Sequence, residues 1–432
     1  MNRTILRALQ HKNYRLFFFG QGISLIGTWM TRIATSWLVY RLSHSAILLG
    51  LVSFSGQIPA FLIAPFAGVY IDRWNLHRIL IVTQILAMFQ SLLLAFLTLG
   101  GFINIPQILA LSIFQGLING FDMPARQSFM IQMVENKADL GNAIALNSSI
   151  VNGARLVGPA LAGILIAISG EGMCFLIDGI SYVAVIIALY AMSVKSEVQK
   201  VDGNILQDLR DGFNYAFGFH PIRLILLLLG LVSFMGMPYT VLMPIFADRL
   251  AGGGPHLLGF LMGASGFGAL SAGLYLAARE SVRGLVRWIP ISAALFGVSL
   301  IAFALSRYLW LSLLLVFVVG FGMMMQMASS NTILQTIADD NKRGRVMSFY
   351  TMSFTGMVPF GSLFAGFFAH RIGAGNTLII GGAICLVSGL IFSRELPRLR
   401  ETIRPIYIRK GIIEATLQGV QAAASLSLPP ED

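Results

Sequence analysis

The amino-acid sequence predicts an all-α membrane protein with twelve transmembrane helices in two pseudo-symmetric bundles of six. Three observations predict this class. Apolar residues make up 56% of the 432 residues and charged residues only 11%, whereas soluble domains carry about 25% charged residues. Apolar runs of about 20 residues, the length that crosses a bilayer, recur along the chain. The basic residues alternate between dense and sparse loops. This composition excludes a cytosolic enzyme, a nucleic-acid-binding module and a disordered chain.

Twelve apolar runs define the predicted spans, as six, a polar interruption and six more. The runs are too long and too uniformly apolar for membrane β-strands, which alternate over about ten residues. The first run is also too long for a signal-peptide core, so we expect a retained span. The predicted spans are 16–40, 46–70, 79–101, 105–125, 143–169, 173–193, 222–247, 256–278, 286–306, 309–331, 345–369 and 376–394.

The distribution of basic residues predicts the orientation of the spans. Of the 30 Lys and Arg residues, 24 fall in loops and tails on one side, four fall on the other side, and Arg32 and Arg155 fall inside spans. Basic loops stay in the cytoplasm, so both termini are predicted to be cytoplasmic, in a bacterial inner membrane. The net charge of +11 therefore indicates topology and a lipid bilayer, and no nucleic-acid partner is expected.

A polar linker is predicted to separate the two bundles. Within it, Ile205, Leu209 and Phe213 recur every four residues among charged ones, which indicates an amphipathic helix on the inner membrane surface. The predicted units are an N-terminal bundle (1–194), the linker (195–222), a C-terminal bundle (223–394) and a cytoplasmic tail (395–432).

An internal repeat supports the two halves. A shift of 203 residues places four glycines of span 5 on four glycines of span 11 and keeps the same inside-to-outside direction. Parallel halves of this kind are related about the membrane normal in 6+6 transporters. The matched pairs are Gly141 with Gly344, Gly153 with Gly356, Gly158 with Gly361, and Gly163 with Gly366.

Two motifs give the chain a family resemblance. The loop after span 2 reads Gly68-Val-Tyr-Ile-Asp72-Arg73-Trp-Asn-Leu-His77-Arg78. It resembles the cytoplasmic loop motif of the major facilitator superfamily, although Asn75 and His77 depart from that pattern.

Span 5 contains Gly153-Ala-Arg-Leu-Val-Gly158-Pro159-Ala-Leu-Ala-Gly163, which looks like the antiporter motif of the same superfamily.

A narrower resemblance concerns one bacterial branch, which holds enterobactin-type siderophore exporters and macrolide-efflux proteins. It is carried by the segments 9–37, 121–127, 208–221 and 343–347. The resemblance implies proton-linked export of a small molecule, with the proton gradient as energy source and no cofactor. It does not identify the substrate.

The loop motif suggests a gate. Asp72 is expected to face the N-terminus of span 11, where an acid is favoured by about 0.3–1 kcal/mol. Arg73 or Arg78 is expected to pair with Asp122, which lies one helical turn before Arg126. Gly68 belongs to the same motif and is assigned to the same gate. The alternative is that these charges only keep a short loop in water.

The span 5 motif allows two roles. Gly153, Gly158 and Gly163 let helices pack closely, and Pro159 removes one backbone hydrogen bond and permits bending. The motif is therefore predicted to be a packing seam, a hinge, or both.

Polar residues within three spans recur every three or four positions, so each set lies on one helical face that should point into the bundle or a watery cavity. In contrast, Trp29 is expected to be an interface anchor near a span end. The sets are Gln21, Ser24, Thr28, Arg32 and Thr35 in span 1; Gln115, Asn119, Asp122 and Arg126 in span 4; and Ser148, Asn152, Arg155 and Pro159 in span 5.

Four ionisable groups lie in or near spans of the N-terminal half, namely Arg32, Asp122, Arg155 and Asp178. A charge inside the bilayer is costly, so its default interpretation is functional. Asp178 is the candidate for a proton-carrying acid. The alternatives are an ion pair with Arg155 or Arg32 that only fixes two helices, and a place in a water-filled outer vestibule.

The same charges indicate the substrate. Guanidinium groups bind carboxylate and catecholate oxygens bidentately, so Arg32 and Arg155 favour an anionic or phenolic substrate. Gln21, Thr28 and Asn152 are expected to contribute to substrate binding or coupling.

We therefore expect a monomeric, proton-coupled exporter of an amphipathic, anionic, siderophore-like molecule. The alternatives are macrolide or multidrug efflux and a lipid-translocating or importing transporter. An enzyme is not expected, because the sequence lacks a phosphate-binding P-loop, an HExxH metal motif and a nucleophile elbow. No catalytic residue or metal site is predicted, and Cys174 and Cys385 have no partners at metal or disulfide spacing.

Overall fold

The structure is a computed structural model that describes residues 6–71, 74–134, 136–192, 205–250, 252–279 and 281–412. Within these ranges the regular structure is entirely helical, which confirms the predicted all-α class. The helices of the N-terminal half are α1 (Lys12–Ser43), α2 (Ala46–Ile71), α3 (Leu76–Leu99), α4 (Ile105–Met133), α5 (Leu140–Ser169) and α6 (Glu171–Tyr190).

A short helix, α7 (Ile205–Gly218), lies within the predicted linker and precedes the C-terminal half. The helices of that half are α8 (His220–Met235), α9 (Tyr239–Arg249), α10 (Pro255–Ala277), α11 (Leu285–Leu305), α12 (Leu309–Ile337), α13 (Arg343–Thr351), α14 (Met357–Ile372) and α15 (Ala374–Arg409).

Eleven helical segments of the described chain are long and apolar enough to cross a membrane, with α8 and α9 forming one segment and α13 and α14 another. The chain is thus a multi-pass membrane protein. The predicted span that does not meet this criterion is the first one, in α1. This helix has 32 residues but carries Gln21, Thr28 and Arg32 among its apolar residues. The exact number of twelve spans therefore stays a prediction.

Two spans of the C-terminal half are interrupted. The first of these spans is interrupted where α8 ends at Met235, since α9 begins only at Tyr239. In the second, a five-residue π-helical turn, Met352–Gly356, separates α13 from α14. Pro159 lies inside α5 without ending that helix. The equivalent spans 5 and 11 therefore differ, because span 5 is continuous whereas span 11 is interrupted.

The last helix is longer than the predicted span. We expected a span over 376–394 followed by a tail, but α15 has 36 residues. At 1.5 Å per residue it is about 54 Å long, more than the roughly 30 Å of hydrocarbon. Its final turns therefore extend beyond the bilayer. Arg283 anchors the end of this segment by donating to the carbonyl oxygen of Ile412 at 2.9 and 2.6 Å.

Each half forms a helical bundle, and one apolar core cluster contains buried residues of both halves. In the N-terminal half α1 packs on α5 and α6, and α3 packs on α4 and α6. In the C-terminal half α12 packs on α10 and α11, and α11 also packs on α15. The two bundles meet through α2 with α14 and through α5 with α10. The interface therefore includes α5 and α14, which belong to the two spans related by the internal repeat.

Glycines bring the two bundles into contact near the ends of α5 and α14, which we call the outer side after the predicted orientation. A Cβ atom built on Gly163 would lie 2.8 Å from the Cα atom of Gly259 in α10. One built on Gly50 would lie 3.0 Å from the Cα atom of Gly366 in α14. Small residues permit such approach where lipid offers no hydrophobic driving force.

The linker helix is attached to the C-terminal bundle. Phe213 and Phe217 of α7 lie 6.1 and 6.0 Å, between ring centroids, from Phe349 of α13. The hydroxyl of Tyr215 accepts a hydrogen bond of 3.1 Å from the backbone N–H of Asp339. The predicted positions Ile205 and Leu209 lie in α7, but their side chains are outside the described set, as are residues 193–204.

The glycine contact gives a first prediction. Gly163→Val should separate the outer ends of the bundles, because its side chain meets the α10 backbone and overpacking costs roughly 1–3 kcal/mol. Spin labels at Ile168→Cys and Arg307→Cys, on exposed outer ends of the two halves, should report a longer distance, and the melting temperature should fall. Gly153→Val is the matched control, because a Cβ atom there meets nothing within 4 Å. Equal effects of both variants would contradict this account.

Candidate functional site

Two arginines from different helices meet at one indole ring. Arg32 of α1 and Arg155 of α5 place their guanidinium carbons 4.8 and 5.7 Å from the centroid of the Trp29 ring. A cation over an aromatic face is stabilised by the ring quadrupole. Trp29 was expected to be an interface anchor, and this expectation is wrong, because the residue lies in the middle of α1 between the two charges.

The arginines have no acidic partner among the described ion pairs. Arg32 has an exposed side chain although it lies within a span, and the two like charges repel each other. The described site therefore holds an excess of positive charge.

The C-terminal bundle contributes an apolar and hydroxyl-bearing wall to the same region. Arg155 donates to the sulfur of Met323 in α12 at 3.8 Å. It also interacts electrostatically with Tyr239 of α9, whose hydroxyl lies 2.6 Å from the Ser265 hydroxyl in α10. Residues of both halves thus meet around Arg155, which is where the substrate sites of 6+6 transporters lie.

Asp178 lies apart from the arginines, in the interior of the N-terminal bundle, with 2% of its surface exposed. Its Oδ2 atom accepts hydrogen bonds from Thr31 of α1 at 2.8 Å and from Ser91 of α3 at 2.9 Å. Its Oδ1 atom has no hydrogen-bond partner within the part of the chain that the structure describes. The alternative ion pair with Arg32 or Arg155 is not formed in the described structure. The third alternative, an outer vestibule, does not match this burial.

The polar face predicted for α1 divides into two. Thr28 lies 3.4 Å, oxygen to oxygen, from the hydroxyl of Tyr182 in α6, and Gln21 is buried with its Oε1 atom unpaired. These residues face the bundle interior, whereas Arg32 faces Trp29 and Arg155. Asn152 bonds within its own helix, to the carbonyl oxygen of Ser148 at 2.9 Å. Their roles in substrate binding or coupling stay predictions.

Asp122 forms a second buried acidic centre. It is ion-paired with Arg126 on the same helix, and its Oδ1 atom accepts hydrogen bonds from Thr83 at 2.9 Å and Gln84 at 2.7 Å. The expected partner Arg78 has an exposed side chain instead. Arg126 replaces it because it lies one helical turn from Asp122.

Most other residues of the predicted gate lie outside the described residues. Asp72 and Arg73 are outside the described residues, and the side-chain surroundings at Gly68 in α2 are also outside that set. The contacts of Asp72 with span 11 and of Arg73 with Asp122 therefore stay predictions.

The span 5 motif forms a packing seam in this conformation. A Cβ atom on Gly158 would lie 2.5 Å from the Cβ atom of Trp29, so this glycine brings α5 against the tryptophan that carries the arginines. Gly163 packs on α10, Gly153 is open, and Pro159 is buried inside an unbroken helix. The hinge role stays a prediction.

The outer side carries a polar contact between the two bundles. The Tyr40 hydroxyl in α1 donates to Oδ2 of Asp248 in α9 at 2.8 Å. Beside it, Arg41 donates to both oxygens of Glu171 at 2.8 and 3.1 Å, which joins α1 to α6 within one bundle. The Tyr40–Asp248 contact therefore links the halves on the side where the glycines also meet.

Sequence reasoning missed several of these residues. Thr31 and Ser91 carry no motif, and hydroxyl residues are frequent in spans. Tyr40 and Asp248 lie at predicted span ends, where polar residues are ordinary. Only Trp29 had a usable signal, because it is spaced three residues from Arg32 on the same helix.

Comparisons with known proteins show the family of the chain. The family model described as "transmembrane secretion effector" matches residues 4–407. The staphyloferrin A transporter of Staphylococcus aureus is 25% identical, over 89% of this chain and 97% of its own length. Macrolide efflux protein A of Streptococcus pyogenes is 21% identical over 88% and 96%. The multidrug efflux pump Tap of Mycolicibacterium fortuitum is 23% identical over 87% and 93%.

Solved structures show the same fold at low sequence identity. The nucleoside transporter NupG is 14% identical, with a TM-score of 0.67 over 92% of this chain and 99% of its own. A bacterial homologue of the iron transporter ferroportin in an inward-facing state is 15% identical, with a TM-score of 0.68 over 88% and 98%.

The Tyr40–Asp248 contact gives a second prediction. Tyr40→Phe should open the outer side, because a hydrogen bond to a charged group contributes about 1.5–3 kcal/mol, which changes the open-to-closed ratio about ten-fold or more. Spin labels at Ile168→Cys and Arg307→Cys should show a larger population at long distance. Tyr308→Phe, at an exposed tyrosine on the same side, should leave the distribution unchanged. An unchanged distance distribution in Tyr40→Phe would show that the Tyr40–Asp248 contact does not hold the outer side closed.

Proposed function

The chain belongs to the transmembrane secretion effectors of the major facilitator superfamily, and we propose on that premise that it exports an amphipathic, anionic small molecule in exchange for protons. It is a transporter and not an enzyme. Export proceeds by alternating access of one site between the two bundles, with the proton gradient as the energy source and no cofactor. One chain forms the complete pathway.

The observation that carries the anionic substrate is the excess positive charge at Trp29. Arg32 and Arg155 lie over the same ring and have no acidic partner in the described structure. Two uncompensated guanidinium groups attract carboxylate or catecholate oxygens and repel a cationic drug. Met323 and Trp29 add an adaptable apolar surface, which suits a molecule with both charged and apolar parts.

Names of relatives support two substrate classes. One relative is a staphyloferrin A transporter, and others are macrolide or multidrug efflux proteins. The arginine pair favours the first class, because a protonated macrolide amine would gain nothing from the two guanidinium groups. We therefore place a siderophore-like anion first and macrolide or multidrug efflux second. Lipid translocation or import is a third possibility within the same fold.

The proton step is assigned to Asp178. A buried carboxylate is stable only with enough donors, and this carboxyl group has hydroxyl donors on Oδ2 alone. Its neutral form leaves a neutral carbonyl oxygen unpaired, whereas its ionised form leaves a charged one unpaired. The acid binds a proton while the outer side is open and releases it while the inner side is open, when the substrate enters.

The orientation supports this direction of transport. Basic loops predict cytoplasmic termini in a bacterial inner membrane, and the described bundle contacts at Gly163 with Gly259 and at Tyr40 with Asp248 then close the periplasmic side. An exporter loads its substrate from the cytoplasm while its periplasmic side is closed.

A third prediction tests the substrate site. Arg32→Gln and Arg155→Gln should each raise the KM for an anionic siderophore such as staphyloferrin A at least ten-fold, on the order of one charge-assisted contact, in everted vesicles with a proton gradient. Arg307→Gln, in an outer loop, is the matched control. A deletion strain should also retain siderophore inside the cell. Normal siderophore secretion with macrolide hypersensitivity would reject the first class and support the second.

A fourth prediction tests the coupling. Asp178→Asn should abolish proton-driven uphill transport in proteoliposomes but keep substrate exchange across the membrane, because the neutral side chain no longer cycles a proton. Exchange serves as the internal control for folding. Uphill transport with normal pH dependence in this variant would show that Asp178 is not the coupling acid.

A further inference from the structure

We infer that Ser91 is a positioning residue for the two protonation states of Asp178. Its hydroxyl group donates its one hydrogen bond to the Asp178 carboxylate in one state and to the Phe175 carbonyl oxygen in the other. This inference rests on the proposed coupling role of Asp178. It assigns a function to a buried hydroxyl of α3 that neither the sequence motifs nor the charge pattern indicates.

The geometry offers Ser91 two acceptors and only one proton. Its oxygen lies 2.9 Å from Oδ2 of Asp178 and 3.1 Å from the carbonyl oxygen of Phe175, one helical turn earlier in α6. The side chain is fully buried. A serine hydroxyl donates one hydrogen bond and accepts two, so it cannot serve both acceptors fully at once.

The position of that proton follows the state of the acid. When Asp178 is ionised, Ser91 and Thr31 both donate to Oδ2, which gathers the available donors on one oxygen. When a proton binds to Oδ2, the carboxyl group donates to the oxygen of Ser91, and Ser91 turns its own proton to the Phe175 carbonyl. The hydroxyl groups of Thr31 and Ser91 each donate a hydrogen bond in both states. The change of protonation therefore needs only a rotation of the Ser91 hydroxyl.

Among the described residues, Asp178 has no other side-chain hydrogen-bond donor. A Cβ atom on Gly27 would lie 2.7 Å from Oδ1, so α1 closes that side with backbone only. Cys174 and Tyr182 are the titratable neighbours on α6. The described contacts of Asp178 with α1 and α3 are the two hydroxyl groups, and Ser181 bonds to the backbone oxygen of Asp178 at 2.7 Å.

The test follows the carbonyl stretching band of a protonated carboxyl group by infrared difference spectroscopy on the purified full chain in nanodiscs. The Asp178 band is identified by its loss in Asp178→Asn. In Ser91→Ala, the pH at which half of this band disappears should move upward by about one unit, a ten-fold change in proton concentration, because the ionised acid loses a donor. The pH profile of transport should shift with it.

The controls separate positioning from packing. Ser91→Thr keeps the hydroxyl and should restore the midpoint. Ser181→Ala removes a nearby hydroxyl that bonds only to backbone and should leave the midpoint in place. Thr31→Val should shift it as Ser91→Ala does, which keeps the test available if one variant fails to fold.

The outcomes distinguish this inference from the proposed function. A titrating Asp178 band whose midpoint is unmoved in Ser91→Ala, or moved equally in Ser181→Ala, overturns the role of Ser91 and leaves proton coupling intact. A protein in which no Asp178-dependent band titrates overturns coupling at Asp178 and this inference together.

Discussion

The cost of a charge in hydrocarbon governs where the ionisable side chains of this protein lie. Most of the 30 basic residues lie outside the predicted spans, and the charges that remain within the spans are each held by a specific arrangement. Asp178 is held by two hydroxyl groups, Asp122 by Arg126 and two further donors, and Arg32 and Arg155 by an indole ring. Charged residues within the spans are candidates for binding substrate and protons, because the bilayer would otherwise exclude them.

The same constraint separates two tasks within the N-terminal bundle. The acid lies in the bundle interior, between α1, α3 and α6, whereas the arginines lie between the bundles. Residues 28, 31 and 32 of α1 connect these places, since Thr28 and Thr31 face inward and Arg32 faces Trp29. A rotation of α1 would therefore move Thr31 and Arg32 together, which is consistent with the proposed coupling of proton release to substrate binding.

The sequence predicts the helices well because apolar length and loop charge are fixed by the bilayer. It predicts the site less well because helical spacing identifies a polar face without its neighbours. The set from Gln21 to Thr35 was assigned one face, but the structure divides it between the bundle interior and the site at Trp29. Contacts such as Tyr40 with Asp248 join residues 208 positions apart, and spacing within one helix carries no information about them.

The π-helical turn at Met352–Gly356 has a consequence for the symmetry of the two halves. It interrupts the regular backbone hydrogen bonds of span 11, whereas its repeat partner, span 5, is an unbroken helix of 30 residues. A helix bends most easily where its hydrogen bonds are irregular. Two spans related by the internal repeat therefore differ in backbone regularity, and we expect span 11 to bend more easily at this turn than the continuous helix of span 5.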